Sequence, residues 1–300
     1  MAELRAPVTR FPAPIPPTRP EYLRDVIAGG DIGVVQKPLT VFQRLANQAW
    51  LRKALILVVI AVAWEAYAQR LNNPLLVPTF SATLEAFWSA ILSGDIPQKV
   101  SNSVQLLLKG YAMGLSLALV LTAVAMMFRL GNDLLETLTS TFNPLPAIAL
   151  LPLALIWFGL GELSIIFVLV HSVLWAVALN THSGFRSVST TLRMVGRNYG
   201  LRGIPFVTKI LIPAAFPSIL TGLKIGWAFA WRTLIAAELV FGVSSGKGGL
   251  GWYIYENKNM LDIPAVFAGL FTVILIGLVV ENLIFRNIEA ATVRKWGMQS

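Results

Sequence analysis

Arg232 stands inside an apolar run, residues 213–242, whose only other charged residues are Lys224 and Glu238. A guanidinium well inside a membrane-length run costs about 2.5–3.5 kcal/mol on insertion scales, so it faces a water-filled cavity, a partner acid or an anion. The sequence leaves two readings open. Arg232 lines a path for an anion, or it forms a structural ion pair with Glu238 or with Glu65 of an earlier apolar run. Trp227, Trp231 and Glu238 share one helical face at i, i+4 and i+11, a spacing that suits helix packing as well as a substrate cage. His171 and Asn143, polar residues in two other apolar runs, complete the candidate lining.

Other chemistries are excluded. The chain has no cysteine, which removes disulfides, thiolate metal sites and thiol nucleophiles. Its two histidines, His171 and His182, lie eleven residues apart without a nearby acid, which is not a metal-ligand spacing. Gly242, Gly246, Lys247 and Gly248 resemble a phosphate-binding loop only superficially. Such a loop needs four residues before its Gly-Lys pair, a Ser or Thr after it and a preceding strand, whereas three residues, a glycine and an apolar run are found here. No nucleotide site, cofactor or metal is expected on this chain.

These residues must be held by membrane helices. Hydrophobic residues make up 56% of the 300, charged residues 13%, and the mean hydropathy is +0.68, outside the range of soluble domains. Runs of about 20 apolar residues are needed to cross a hydrocarbon core, and an isolated run satisfies its backbone there only as a helix. Such runs occur near 51–69, 103–128, 134–158, 163–182, 213–242 and 263–285, predicting an all-α polytopic protein of about six spans. Pro144, Pro146 and Pro152 interrupt the third, which is therefore expected in the protein interior rather than against lipid.

The formal charge of +9 raises the question of nucleic acid, and its distribution answers it. With the amino terminus inside, eighteen Lys and Arg fall on cytoplasmic segments and four, Arg70, Lys99, Lys247 and Lys258, on outer ones. This is the positive-inside bias of a plasma-membrane protein with both termini cytoplasmic, so no nucleic-acid partner is expected. Residues 1–50 form a Pro-rich cytoplasmic extension with no signal-peptide h-region, and an interfacial helix is expected over 39–50. Residues 51–73 hold the first span, 74–288 a core containing a cytoplasmic loop near 187–210, and 289–300 a cytoplasmic tail.

That loop is the most informative stretch. Gly200 is followed after nine residues by Ile210, Leu211, Ile212 and Pro213, a pattern that resembles the EAA loop of permease subunits of binding-protein-dependent ABC importers. Pro146 to Pro152 running into Trp157-Phe158-Gly159, then Tyr199-Gly200-Leu201 and Trp231 through Glu238, are similar to the nitrate, taurine, aliphatic sulfonate and bicarbonate branch. The resemblance covers roughly residues 74–296. It implies a type I importer permease fold, with a coupling helix that docks on cytoplasmic ATPase subunits holding ATP and Mg. It also implies a second permease copy or paralogue, an extracytoplasmic solute-binding protein and a small anion as cargo. The coupling residues are then Arg193, Met194, Val195, Gly196, Arg197, Tyr199, Gly200 and Pro213. Amphipathic spacing agrees, since Leu192, Val195 and Tyr199 share one side and the two arginines another.

Two departures qualify the resemblance. Met194, Val195 and Gly196 replace the leading Glu-Ala-Ala, so docking is expected to rest on shape and apolar burial, aided by Arg193 or Arg197. Leu106 stands where the family tends to place a basic residue, and Lys109 one turn later is expected to reach outward. Two rivals predict different features. An ion-driven secondary transporter needs paired discontinuous helices in related halves, which the sequence lacks, and a non-transporting scaffold does not need Arg232.

Overall fold

The computed structural model describes residues 47–241, 248–295 and 297, and these are helical or irregular, with no strand. The extension through residue 46, with most of its expected interfacial helix, and the Gly-Lys string through Lys247 lie outside the described residues. By internal contacts the chain divides into Met1–Ile56 and Leu57–Ser300. The described part of the first unit supplies the opening turns of helix α1, Ala49–Leu71.

In the second unit, α2 (Phe80–Leu92) is capped by the Thr79 side chain, and α3 (Asp95–Met127) runs 33 residues. Helix α4 (Arg129–Phe142), a 3₁₀ turn at Ala147–Leu150 and α5 (Leu151–Phe158) form a pair bent by 87°. The long α6 (Glu162–Ser187) leads into the short α7 (Thr190–Asn198). A helical segment from Ile204, wound as a π turn at Val207–Leu211, opens α8 (Ile212–Phe241). Last come α9 (Leu250–Asn259) and α10 (Ile263–Val279), with helical turns continuing to Arg294.

Four of these segments are long and apolar enough to cross a membrane, five if the bent pair is one span. Of the six expected spans, the one near 51–69 is a helix outside that count. The bend in the third lies at Pro144 and Pro146, as expected. Its placement in the interior is not borne out, because Ile156 and Trp157 are exposed. Residues 143–148 instead rim a cavity, where broken backbone finds polar surroundings.

Helix α6 is the hub, with 67% of its apolar window buried against 22–28% for the other three spans. It is apolar on all sides, and two small-residue stripes let its neighbours close on it. On α3, Gly110 and Gly114 face Leu169 and Val173; a Cβ at either glycine would come within 2.6 and 2.7 Å of those side chains. On α8, Gly222 and Gly226 face Asn180 and Val177 at 2.8 and 3.1 Å by the same measure. Each pair has the GxxxG spacing that brings helix backbones together in lipid. Outward faces stay apolar and exposed, as at Leu119 and Val120 of α3 and Ile274 and Leu278 of α10, as lipid contact requires. Lys109 does not reach outward alone, since its Nζ lies 2.6 Å from Glu162 at the start of α6.

Candidate functional site

Ser189 caps α7, its side chain accepting from the Leu192 N–H. The helix then ends as a Schellman turn. Leu201 N–H donates to Gly196 O at 3.1 Å, Gly200 N–H to Arg197 O at 2.9 Å, and Gly200 adopts φ +75°, a left-handed angle that glycine takes at little cost. Gly196 is the one buried residue of α7. A Cβ there would lie 2.9 Å from Phe206 and 3.0 Å from Ile210, so a small residue is required where α7 rests on the segment leading to α8. Pro213 sits at the start of α8, directly behind the π turn.

The opposite face of α7 is open. Met194, Val195 and Tyr199 are exposed, Tyr199 by 82%, giving an apolar face without a partner among the described residues. The two arginines have different surroundings. Arg193 donates from Nη2 to Phe185 O at 2.6 Å and from Nε to Val188 O at 3.2 Å, satisfying carbonyls at the C-terminus of α6. It ties α7 to the hub helix instead of standing free for docking, and Arg197 is the exposed one.

Three of the candidate pathway residues meet in one cavity of about 260 Å³, formed by the bend after α4 with α6 and α8. Asn143 comes from the bend, His171 from α6 and Arg232 from α8, joined by Trp175, Ser172 and Thr233, which sequence reasoning had not singled out. The Arg232 guanidinium lies 5.8 Å from the Phe229 ring. Trp175 is 8% exposed, stacks on Phe142 at 5.6 Å, and its indole nitrogen is buried without a hydrogen-bond partner among the described residues. Both ring nitrogens of His171 are likewise unpartnered. Ser172 donates to Thr233 Oγ1 at 2.9 Å, linking α6 to α8 at the cavity wall.

The remaining candidates lie elsewhere. Trp231 turns toward α10, donating to Val273 O at 3.2 Å, and Trp227 packs edge-on against Tyr111 of α3 and against Phe285. With Arg232 they bound a second cavity of about 410 Å³ that also reaches Glu281. Glu238 enters neither cavity. Only 4% exposed, it accepts from Ser103 Oγ and from Gly251 N–H, each at 2.8 Å, while Ser103 Oγ in turn accepts from Leu250 N–H. This network fastens the start of α9 to α3 and α8. Glu65 is engaged by Ser81 and Gln69. Neither acid is therefore the partner of Arg232, and the structural ion pair considered from sequence is not formed.

An arginine at a polar-lined cavity, in a bundle of apolar helices with a capped amphipathic helix at one end, suits a membrane transport component. Residues 110–292 match the model of the binding-protein-dependent transport system inner membrane component, and the chain belongs to that family. It is 32% identical to a putative ABC transporter permease protein of Methanocaldococcus jannaschii over 74% of this chain and 83% of that protein. A putative aliphatic sulfonates transport permease of Escherichia coli is 31% identical over 67% of the chain and 75% of its own length. The taurine transport system permease of the same organism is 27% identical over 79% and 86%. The sulfonate and taurine permeases fall in the branch that the motifs resembled.

Proposed function

We propose that this chain is the membrane subunit of an importer for a small anion of the sulfonate, taurine or nitrate type, powered by ATP hydrolysed on separate cytoplasmic subunits. It carries no covalent chemistry itself. A second permease copy or paralogue completes the path, and an extracytoplasmic binding protein delivers the anion. Both termini and α7 face the cytoplasm. Hydrolysis moves α7 as a rigid lever, and the motion reaches the cavity through α6 and α8 as the two permeases rock between inward- and outward-open states.

The observation that carries the coupling role is the exposed apolar face of Met194, Val195 and Tyr199 on a helix fixed at both ends, by Arg193 against α6 and by the Schellman turn at Gly200. A solvent-exposed face of this kind is suited to a groove on a soluble partner. Met194 in place of the family's Glu makes apolar burial the main contribution to docking. The test is ATP-driven uptake by the complete complex in proteoliposomes. Gly200→Leu forces a side chain into a left-handed angle and is expected to abolish uptake while ATP hydrolysis persists; Met194→Glu is expected to be tolerated. Normal uptake by Gly200→Leu overturns the coupling assignment.

A further inference from the structure

We infer that the cavity at Arg232 is itself a binding site for a compact, singly charged oxyanion, and that it discriminates against an otherwise similar zwitterion. The inference rests on the importer reading above and narrows its cargo. The site is built from donors. Arg232 offers a planar fork of N–H groups and lies within 4 Å of no carboxylate among the described residues: Glu238 and Glu65 are engaged elsewhere, and Glu281, which shares the second cavity with it, forms no ion pair with it. The Trp175 indole N–H is donor-only, and it is buried at the cavity wall without a partner among the described residues. A buried donor of this kind needs an acceptor. His171 and Asn143 extend the polar lining from α6 and from the bend. No carboxylate is among the described residues that line the cavity.

A single guanidinium neutralises a single negative charge, and a sulfonate or nitrate group presents a pair of oxygens that a fork of N–H donors can hold. At about 260 Å³ the space takes such a head group with a short apolar tail. An ammonium group on that tail has no acid to meet. Of the aromatic rings at the cavity, Trp175 has one face against Phe142, and Phe229 already carries the Arg232 cation. A cation brought into the cavity is thus desolvated without compensation and placed in the same cavity as a like charge.

Propane-1-sulfonate and taurine make the comparison, because they differ by a methyl in place of an ammonium group. Each is titrated calorimetrically into the full-length chain in nanodiscs. Propane-1-sulfonate is expected to bind, with taurine weaker by about tenfold or more. Arg232→Gln is expected to weaken propane-1-sulfonate by about tenfold or more, with partial recovery in Arg232→Lys, which keeps the charge but not the fork. Trp175→Phe keeps an aromatic ring against Phe142 while removing the indole N–H and part of the ring, and a several-fold loss is expected, with thermal unfolding of the variant checking that the fold is kept. Equal or tighter binding of taurine overturns the discrimination. Propane-1-sulfonate binding that survives both Arg232→Gln and Trp175→Phe overturns the location. Absence of saturable binding by either probe overturns the site, while ATP-driven uptake by the complete complex independently decides the importer reading.

Discussion

Glu238 supplies a perturbation whose size follows from geometry. Its carboxylate is the acceptor for two buried donors, Ser103 Oγ–H and Gly251 N–H, and no water-exposed route replaces it at 4% exposure. Glu238→Ala strands both donors. Leaving a buried donor unsatisfied costs about 1–3 kcal/mol, so the loss is about 2–6 kcal/mol for the two, concentrated where α9 joins α3 and α8. Glu238→Gln keeps an oxygen for the Gly251 N–H, and its amide can donate to Ser103 Oγ, leaving a cost of about 1–2 kcal/mol. Two measurements on the full chain in nanodiscs separate these outcomes. Thermal unfolding should order wild type, Gln and Ala in falling stability, and amide exchange over Leu250–Asn259 should accelerate strongly in Ala only. Equal losses for Gln and Ala, or unchanged exchange over α9 in Ala, would refute the assignment of this network as the fastening of α9.

Three further outcomes are expected. Gly114→Leu should cost about 1–3 kcal/mol or more by overpacking against Val173 and reduce the folded yield in detergent, whereas Gly161→Ala, with nothing within 4 Å of its Cβ, should leave the yield unchanged. Arg193→Ala should destabilise the chain by about 1–3 kcal/mol by removing the donor to Val188 O and the shorter of the two donors to Phe185 O; the same change at Arg197 should leave thermal stability as it was, checked by the same unfolding assay. In the cysteine-free background, an impermeant thiol reagent on intact cells should label a cysteine at position 258 and not one at 200; the reverse pattern overturns the proposed orientation.

Much of the fold is legible because spans are written in the composition. The runs near 103–128, 163–182, 213–242 and 263–285 correspond to α3, α6, α8 and α10, and three prolines mark the bent pair. Helices α2 and α9, 13 and 10 residues long, have no such signature, since they are too short to cross and pack on the other elements at one end of the bundle. Hydropathy also cannot separate the hub from the periphery. An apolar residue suits lipid and protein equally, so α6 differs from α10 by its neighbours and not by its own sequence. One signal was available for that distinction: the GxxxG spacing at Gly110 and Gly114 and at Gly222 and Gly226 marks faces that admit a helix, although only the structure gives α6 as the helix admitted.

The site was half legible for a related reason. Cost alone singles out Arg232, because a guanidinium in an apolar run must be compensated, but the compensating group is chosen by tertiary contacts. Glu238, six residues away on the same helix, looks like the natural partner and is turned toward α9 by Ser103, 135 residues earlier in the chain. Trp175 shows the converse. In sequence it is one more aromatic residue in an apolar helix, and its place at the cavity follows from Phe142 stacking on its ring, which leaves the indole N–H buried at the wall without an acceptor. Arg193 completes the pattern: amphipathic spacing puts it on the polar side of α7, yet that side faces the end of α6, where exposed carbonyls attract a cation more strongly than solvent does. In each case residue chemistry fixes what the group requires, and packing of distant segments decides which neighbour meets the requirement.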